Sequence, residues 1–266
     1  MSKASLRKSV TPLRLDRYLV REGLVESRHR AQIEITHGRV RVNGIVIHKP
    51  ASPITADDTV TLDTPFNPYV SKGGLKLEHA IHAFGVSFDN ATVLDVGAST
   101  GGFSECALTH GAAHVIAIDV GRNQLHDRLR HDPRVTSREH TNFLDVEATV
   151  IAQADILTID VSFTSAVPLI IHAYKHFSGP AIWLLKPQFE HGAPPKSGVV
   201  KHPKDHHRAI TKALAALPPH GVYPQAIAPS PLLGGSGNRE FLVWLARDEG
   251  TVDIAAAVAQ AHTIKG

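Results

Sequence analysis

Apolar positions near the start of the chain keep a helical period. Leu15, Tyr18 and Leu19 fall at i, i+3 and i+4, and Gly23 is placed to end that helix. Ser27 can cap a second helix over Arg28–Thr36 that stops at Gly38. From Arg39 to Gly44 basic and apolar residues alternate into an Asn-Gly turn, the pattern of a strand with its arginines outward, and 46–48 and 58–62 complete a small β unit. Residues 12–63 therefore read as one compact α+β module behind a polar, basic, disordered tail over 1–11. Pro65 and Pro68 mark a linker over 64–71.

The rhythm then changes. An amphipathic helix over 76–84 ends at Gly85, and from Thr92 strands and helices alternate. Strand 93–96 is followed by a glycine-rich turn over 97–102 and a helix over 103–110. Strand 114–119 comes next, then a third strand region marked by Val135 and 142–145. Strand 155–160 precedes a helix over 164–176, and strand 181–186 precedes a helix over 204–217. Strands over 222–228 and 240–246 complete the series. This alternation predicts an open α/β sheet with helices on both faces, bounded by 72–247. Residues 248–266 read as an alanine-rich, weakly helical tail.

Composition narrows the class. Of 266 residues, 42% are hydrophobic and 20% charged, which excludes a disordered or collagen-like chain. The single cysteine, Cys106, excludes an intramolecular disulfide and a cysteine-based zinc cluster. No apolar run approaches the ~18 residues of a membrane span, and the basic N-terminus has no apolar stretch behind it, so a cytoplasmic location is expected. The net charge of +3 hides an asymmetry: residues 1–50 hold 11 lysines and arginines against 4 acids. A basic appendage on a mildly acidic body suits a polyanion, and Arg14, Arg17, Arg21, Arg28, Arg30, Arg39 and Arg41 are its candidate RNA-binding residues. On charge alone, a solvated basic face is the alternative. The 18 histidines raise the question of a metal, but the adjacent His206 and His207 cannot share a helix face. No H-E-x-x-H or comparable ligand pattern is present, so no metal is expected.

Candidate chemistry gathers at strand ends. In the stretch from Leu94 to Phe103, Gly97 permits a tight turn and Gly101 and Gly102 would let a ligand approach the backbone. G-x-G-x-x-G and the P-loop lysine are both absent. Asp95 before the turn and Asp119 at the end of the next strand suit a cationic ligand with ribose hydroxyls, as S-adenosylmethionine is. Asp95 would face the methionine end, directly or through the loop, and Asp119 the ribose. Four polar residues interrupt otherwise apolar or turn-like contexts: Lys76, Asp160, Lys186 and Glu240. Asp160 and Lys186 end central strands, at the sheet edge where such folds bind ligands. Trp183 and Trp244 read as core, and 194–198 as a surface loop.

The motifs together resemble the TlyA family, also called haemolysin A, which joins an S4-type RNA-binding domain to an FtsJ-like ribose 2′-O-methyltransferase. The likeness rests on Leu15-Asp16-Arg17-Tyr18-Leu19-Val20, on Arg39-Val40-Arg41-Val42-Asn43-Gly44, and on the run from Tyr69 to Leu77. It continues through the run from Asp95 to Phe103, Asp160-Val161-Ser162-Phe163, Leu185-Lys186-Pro187-Gln188-Phe189-Glu190 and Gly237-Asn238-Arg239-Glu240-Phe241. The resemblance implies a Rossmann-like methyltransferase domain behind a small α+β S4 domain, S-adenosylmethionine as donor, and a cytidine ribose of 16S or 23S ribosomal RNA in ribosomal subunits as acceptor. It makes Lys76, Asp160, Lys186 and Glu240 a catalytic tetrad. It assigns the cofactor to Asp95, Gly97, Ala98, Ser99, Gly101, Gly102, Phe103, Asp119, Asn142, Phe143 and Asp160. Lys72 stands where the family pattern has arginine, so an RNA contact there lacks the planar guanidinium fork.

A 2′-hydroxyl must lose its proton near attack. A lysine serves as base only when partly neutral, a drop of roughly 3 units from its reference value. Carboxylates oppose that drop, so Asp160 and Glu240 are expected to orient the lysines, with Lys186 acting on the hydroxyl, as base or as stabiliser of the developing alkoxide, and Lys76 holding substrate. Two rival readings are a catalytically inactive ribosome-associated RNA-binding protein and a membrane-active haemolysin.

Overall fold

The computed structural model describes residues 13–25, 28–36, 38–63, 67–190 and 198–264. The expected basic tail, the Ser27 cap, the side chain of Arg30 and residues 194–197 of the expected surface loop lie outside the described residues. The chain divides into two compact units, Met1–Phe66 and Asn67–Gly266.

In the first unit, β1 (Leu13–Arg14) leads into α1 (Leu15–Arg21) and α2 (Arg28–Thr36). Then follow β2 (Val40–Val42), β3 (Ile45–Val46), β4 (Pro53–Ile54) and β5 (Val60–Leu62). Strands β3, β2 and β5 form an antiparallel sheet, and β1 pairs with β4. Asn43 and Gly44 join β2 to β3 with φ of 52° and 81°, the left-handed pair that suits a two-residue hairpin. Leu15 and Leu19 on the predicted helical face meet Ala31, Ile35, Val40 and Ile54 in a buried core.

The second unit opens with α3 (Lys72–Phe84), capped by the Ser71 hydroxyl and ended by Gly85 in the left-handed region. Its sheet contains β6 (Thr92–Val96), β7 (His114–Ile118), β8 (Val135–Arg138), β9 (Ile156–Ile159), β10 (Ala181–Leu185), β11 (Tyr223–Pro229) and β12 (Phe241–Ala246). The spatial order is β11-β12-β10-β9-β6-β7-β8, with β12 antiparallel to both neighbours and the other pairings parallel. The helices between strands are α4 (Gly102–Thr109), α5 (Asp127–Arg130), α6 (Ala148–Ile151), α7 (Val167–Ala173), α8 (Pro187–Glu190) and α9 (Pro203–Ala215), and α10 (Ile254–Ala261) closes the unit. Chain order reverses at β6: β7 and β8 extend one way, β9 and β10 the other. The carboxyl ends of β6 and β9 therefore flank the crevice that such sheets use for ligands.

Alternate residues of the central strands feed two cores. Leu94, Val96, Leu157 and Ile159 face one, while Val93, Val115 and Ile156 face the other. Three expectations change. Residues 143–145 form a 3-10 helix capped by the Asn142 carboxamide rather than a strand. The helix expected over 164–176 is confined to Val167–Ala173. The C-terminal segment is not a detached tail, because Ala257, Val258 and Ala261 of α10 join the first core. Trp183 is buried; Trp244 is half-buried and stacks on Phe84 at 6.4 Å.

Two buried ionisable groups link this packing to pH. His206 on α9 is fully buried, lies 3.2 Å from the His262 ring nitrogen, and is pushed down to about 4, first by burial and then by His262 and Arg239. Asp95 on β6 is also fully buried and is pushed up to about 6 by burial, although Ser104 and Thr158 donate to it. Below pH 6.5 the unfolded chain protonates its histidine while the folded chain resists until about 4, so stability from His206 is lost as pH falls. Asp95 acts oppositely: the folded chain takes its proton at about 6, above the ordinary carboxyl value of 3.8, so acidification adds stability. Asp95→Asn removes the opposing effect. Urea unfolding across this window should show the variant losing stability more steeply than the parent toward acid, by up to about 3 kcal/mol; parallel profiles would contradict the assignment.

Candidate active site and basic face

The crevice between β6 and β9 is built on a missing side chain. Gly97 follows β6 with φ of 86°, and a Cβ there would lie 2.6 Å from the carbonyl oxygen of Asp160, the residue after β9. Only glycine tolerates both the conformation and the approach. The turn continues through Ser99, also left-handed at φ 49°, whose amide donates to the Asp119 carboxylate at 2.8 Å. Gly121 donates to the other oxygen of Asp119 at 2.7 Å. The carboxylate is thus fixed beyond the end of β7, at the rim of a cavity of about 500 Å³. Asn142 and Phe143 line this cavity, as do Gly97, Ser99 and Asp160.

A second cavity of about 600 Å³ begins on the other side of the same turn. Lys72, Lys76, Gly97, Ala98, Ser99, Gly102, Phe103 and Asp160 are among its lining residues. Lys76 projects from α3 and is ion-paired with Glu240, which stands just before β12. Lys186, just after β10, lies 2.6 Å from the Asp160 carboxylate and donates to the Ser162 hydroxyl at 2.8 Å. The register explains this meeting. Leu185 pairs with Phe241 across the antiparallel β10–β12 ladder, so the next residues, Lys186 and Glu240, leave the sheet at one point. The tetrad is therefore two ion pairs, Lys76–Glu240 and Lys186–Asp160, with Lys76, Lys186 and Glu240 each less than a tenth exposed.

Some sequence-predicted residues take other roles. Asp95 lines neither cavity; it lies under the sheet opposite Thr158 in the β6–β9 register and ties that pair to Ser104 of α4. Both of its carboxylate oxygens are taken up by Ser104 and Thr158, next to the start of the glycine turn. Gly101 also lines neither cavity. A Cβ on it would meet Leu129 at 2.2 Å and Leu125 at 2.8 Å, and one on Gly102 would meet the Ser71 hydroxyl at 2.1 Å. Gly101 thus admits α5 with its preceding turn, and Gly102, which lines the larger cavity, also admits the start of α3. The Phe143 ring is buried against His172.

Other contributors carried no clear sequence signal. Val120, Leu144 and Phe163 are the exposed large apolar residues around the smaller cavity, and Phe163 is 92% exposed with φ of 68°. Leu233, Gly234 and Gly235 close part of the larger one. A Cβ on Gly234 would strike the Glu240 carboxylate at 2.5 Å, so this loop packs directly on the Lys76–Glu240 pair.

In the first unit the basic residues are less free than charge counting implies. Asp16 is fully buried and accepts from Arg14 at 2.8 and 3.0 Å and from Arg28 at 3.1 Å. The Arg14 guanidinium is the main cause holding the Asp16 carboxyl far below its ordinary range. Arg39 pairs with buried Glu34, Arg41 with Asp63 at 2.5 Å, and Arg21 with Glu22 at 2.8 Å. Each of these guanidinium groups is thereby held by a carboxylate. Arg17 is exposed.

Comparison with known proteins agrees with this architecture. Residues 69–247 match the family model of FtsJ-like methyltransferases, and 13–60 match the S4 domain. The chain is 39% identical to the Bacillus subtilis protein called "Putative rRNA methyltransferase YqxC", over 87% of this chain and 85% of that one. It is 37% identical to the Mycobacterium tuberculosis 16S/23S rRNA (cytidine-2′-O)-methyltransferase TlyA, over 87% and 89%. A solved structure called "Putative hemolysin from Streptococcus thermophilus" is 34% identical, superimposes with a TM-score of 0.73, and covers 96% of this chain and 97% of its own.

The Gly97 approach generates a direct test. Gly97→Ala should lose about 2–4 kcal/mol of stability in urea unfolding, from backbone strain and overpacking together. Gly235→Ala, where an added Cβ meets nothing within 4 Å, should stay within about 0.5 kcal/mol of the parent.

Proposed function

The chain belongs to the FtsJ-like methyltransferases and, with its S4 domain, to the TlyA family, and from that premise we propose that it methylates a ribose 2′-hydroxyl of ribosomal RNA using S-adenosylmethionine. A cytidine of 16S or 23S RNA, presented in a ribosomal subunit, is the acceptor favoured by the names of its relatives. The observation that carries the reading is the meeting of two ion pairs, Lys76–Glu240 and Lys186–Asp160, at the sheet edge beside the Asp119 cavity.

The residues around the cavity suit the donor. Asp119 offers acceptor oxygens for a ribose diol, and Val120 and Leu144 offer apolar flanks for a base. Asp160 lines both cavities and can face a cationic centre where they join. When bound, S-adenosylmethionine supplies an electrophilic methyl group on a positively charged sulfur. The chain's own task is to align a hydroxyl with that methyl group, and positioning alone can account for much of such a rate.

Lys186 has two roles open to it, base or stabiliser of the developing oxyanion. Its contacts with Asp160 and Ser162 favour a role in polarising the 2′-hydroxyl and stabilising the developing oxyanion. Lys76, fixed by Glu240, holds the nucleotide from the α3 side. Phe163 offers an exposed aromatic face for the base at the rim. The arginines anchored on Asp16 and Glu34 supply phosphate contacts in the S4 domain.

An inactive RNA-binding protein would not need two buried ammonium–carboxylate pairs at a ligand cavity. For the haemolysin reading, no helix among the described residues is long and apolar enough to cross a membrane.

The decisive assay is transfer of labelled methyl from S-adenosylmethionine to unmodified 30S and 50S subunits. The parent should label a subunit, and Lys186→Ala should lose at least about 100-fold in rate while keeping its affinity for S-adenosylmethionine. Substantial transfer by the variant would remove Lys186 from the mechanism. No labelling of either subunit or its free RNA, with no binding of S-adenosylmethionine, would favour the RNA-binding rival.

A further inference from the structure

Away from both cavities, the tertiary fold assembles a donor set that sequence spacing hides. Glu78 and His82 stand one turn apart on α3, and His110 is the C-terminal cap of α4. Their ligating atoms all lie within 4.8 Å of one another. Glu78 and His110 are half-buried and His82 is exposed, so the group is open to solvent on one side. The His82 and His110 rings meet edge-on, with centroids 5.9 Å apart.

The surroundings fix two of the three donors. Tyr69 donates its hydroxyl to Glu78 Oε1 at 2.7 Å, leaving the other carboxylate oxygen outward. His110 Nδ1 lies 2.9 Å from the Cys106 carbonyl oxygen, a bond that keeps the proton on Nδ1 and the lone pair on Nε2. A ring nitrogen bonded to a backbone carbonyl while the other stays available is the usual support of a metal-binding histidine. The buried Cys106 thiol lies 3.6 Å from Nδ1, the nitrogen turned away from the lone pair on Nε2, so the donor set is two nitrogens and one oxygen.

We propose that Glu78, His82 and His110 bind a divalent transition-metal ion of the zinc type, with water completing the coordination. Two imidazoles and a carboxylate suit zinc and disfavour magnesium or calcium, which take oxygen. Tetrahedral bonds of ~2 Å place donors roughly 3.3 Å apart, a contraction that the exposed His82 side chain can make by changing rotamer. The site does not belong to the methyl-transfer machinery. Lys76, two residues before Glu78, is turned roughly 200° around the helix, and none of the three donors lines the larger cavity. Its consequence is mechanical: the ion ties the last turn of α4 to the outer face of α3, the helix that carries Lys72 and Lys76.

The test uses the full chain without a polyhistidine tag, stripped by a chelator and titrated with Co²⁺ and Zn²⁺. Cobalt ligand-field absorption and calorimetry are the readouts. The parent should take up one tight equivalent. His82→Ala and Glu78→Gln should each bind about 100-fold more weakly, and Tyr69→Phe about tenfold more weakly, as loss of a supporting hydrogen bond does. His207→Ala, at an exposed histidine on α9, should match the parent. Absence of a saturable equivalent, or uptake by His82→Ala and Glu78→Gln equal to the parent's, would overturn the proposal. Because no readout depends on methyl transfer, failure here leaves the enzymatic reading standing, and the converse also holds.

Discussion

The close approach of the Asp160 carbonyl to Gly97 is the constraint on which the site depends. At the point where the sheet's connectivity reverses, β6 and β9 end side by side, and the space between the chains leaving them is too narrow for a Cβ. That narrowness turns the post-β6 loop so that Ser99 can lock Asp119, and it leaves Asp160 on the wall of both cavities. Below the turn, Asp95, Thr158 and Ser104 form a buried polar knot between the two strands and α4. A buried carboxylate with a raised pKa is a destabilising element, and a fully hydrogen-bonded one still confers rigidity. The crevice is thus held from beneath by polar bonds and from above by steric exclusion.

How much of this was legible in the sequence follows from how local each feature is. The strand and helix alternation is local, so the order of elements emerged directly, and strand ends directed attention to Asp160 and Lys186. Their pairing with each other was not local. It depends on β9 and β10 lying side by side and parallel, and β12, antiparallel to β10, delivers Glu240 to the same edge. Whether Asp95 faces a ligand directly or only through the loop was not legible, because an acid before a glycine turn looks the same exposed or buried, and here it is buried. At Gly101 and Gly102 the sequence reports a close approach but not what approaches: the fold puts Leu125 and Leu129 against one and Ser71 against the other. Asn142–Asp145 has the apolar content of a strand, and the Asn142 cap converts it into a 3-10 turn. Glu78, His82 and His110 escaped notice because the third donor arrives on a different helix. Val120, Leu144 and Phe163 escaped because exposure is a property of the fold.

One electrostatic device recurs in both units. Cations are held by carboxylates that water barely reaches: Asp16 for Arg14 and Arg28, Glu34 for Arg39, and Glu240 for Lys76. Such pairs add little net stability, because desolvation offsets the attraction. Their value is geometric. A buried acid fixes one side of a guanidinium or ammonium and leaves the remaining N–H groups aimed outward, so less side-chain freedom is lost when an anion binds.

The same arrangement bears on the chemistry. On the proposed reading, a lysine aimed at the 2′-hydroxyl would stabilise an oxyanion that appears only as that hydroxyl loses its proton. Interactions that strengthen only at that stage raise the rate without tightening the ground state. Ser162, the second acceptor of Lys186, directly precedes Phe163, whose exposed ring stands at the cavity rim. One short strand-to-helix connection, Asp160-Val161-Ser162-Phe163, therefore joins the orientation of the ammonium to the surface that a nucleobase would meet. Placement of the base and placement of the charge are coupled through three peptide bonds, so a nucleotide seated against Phe163 bears on the same segment that positions Lys186.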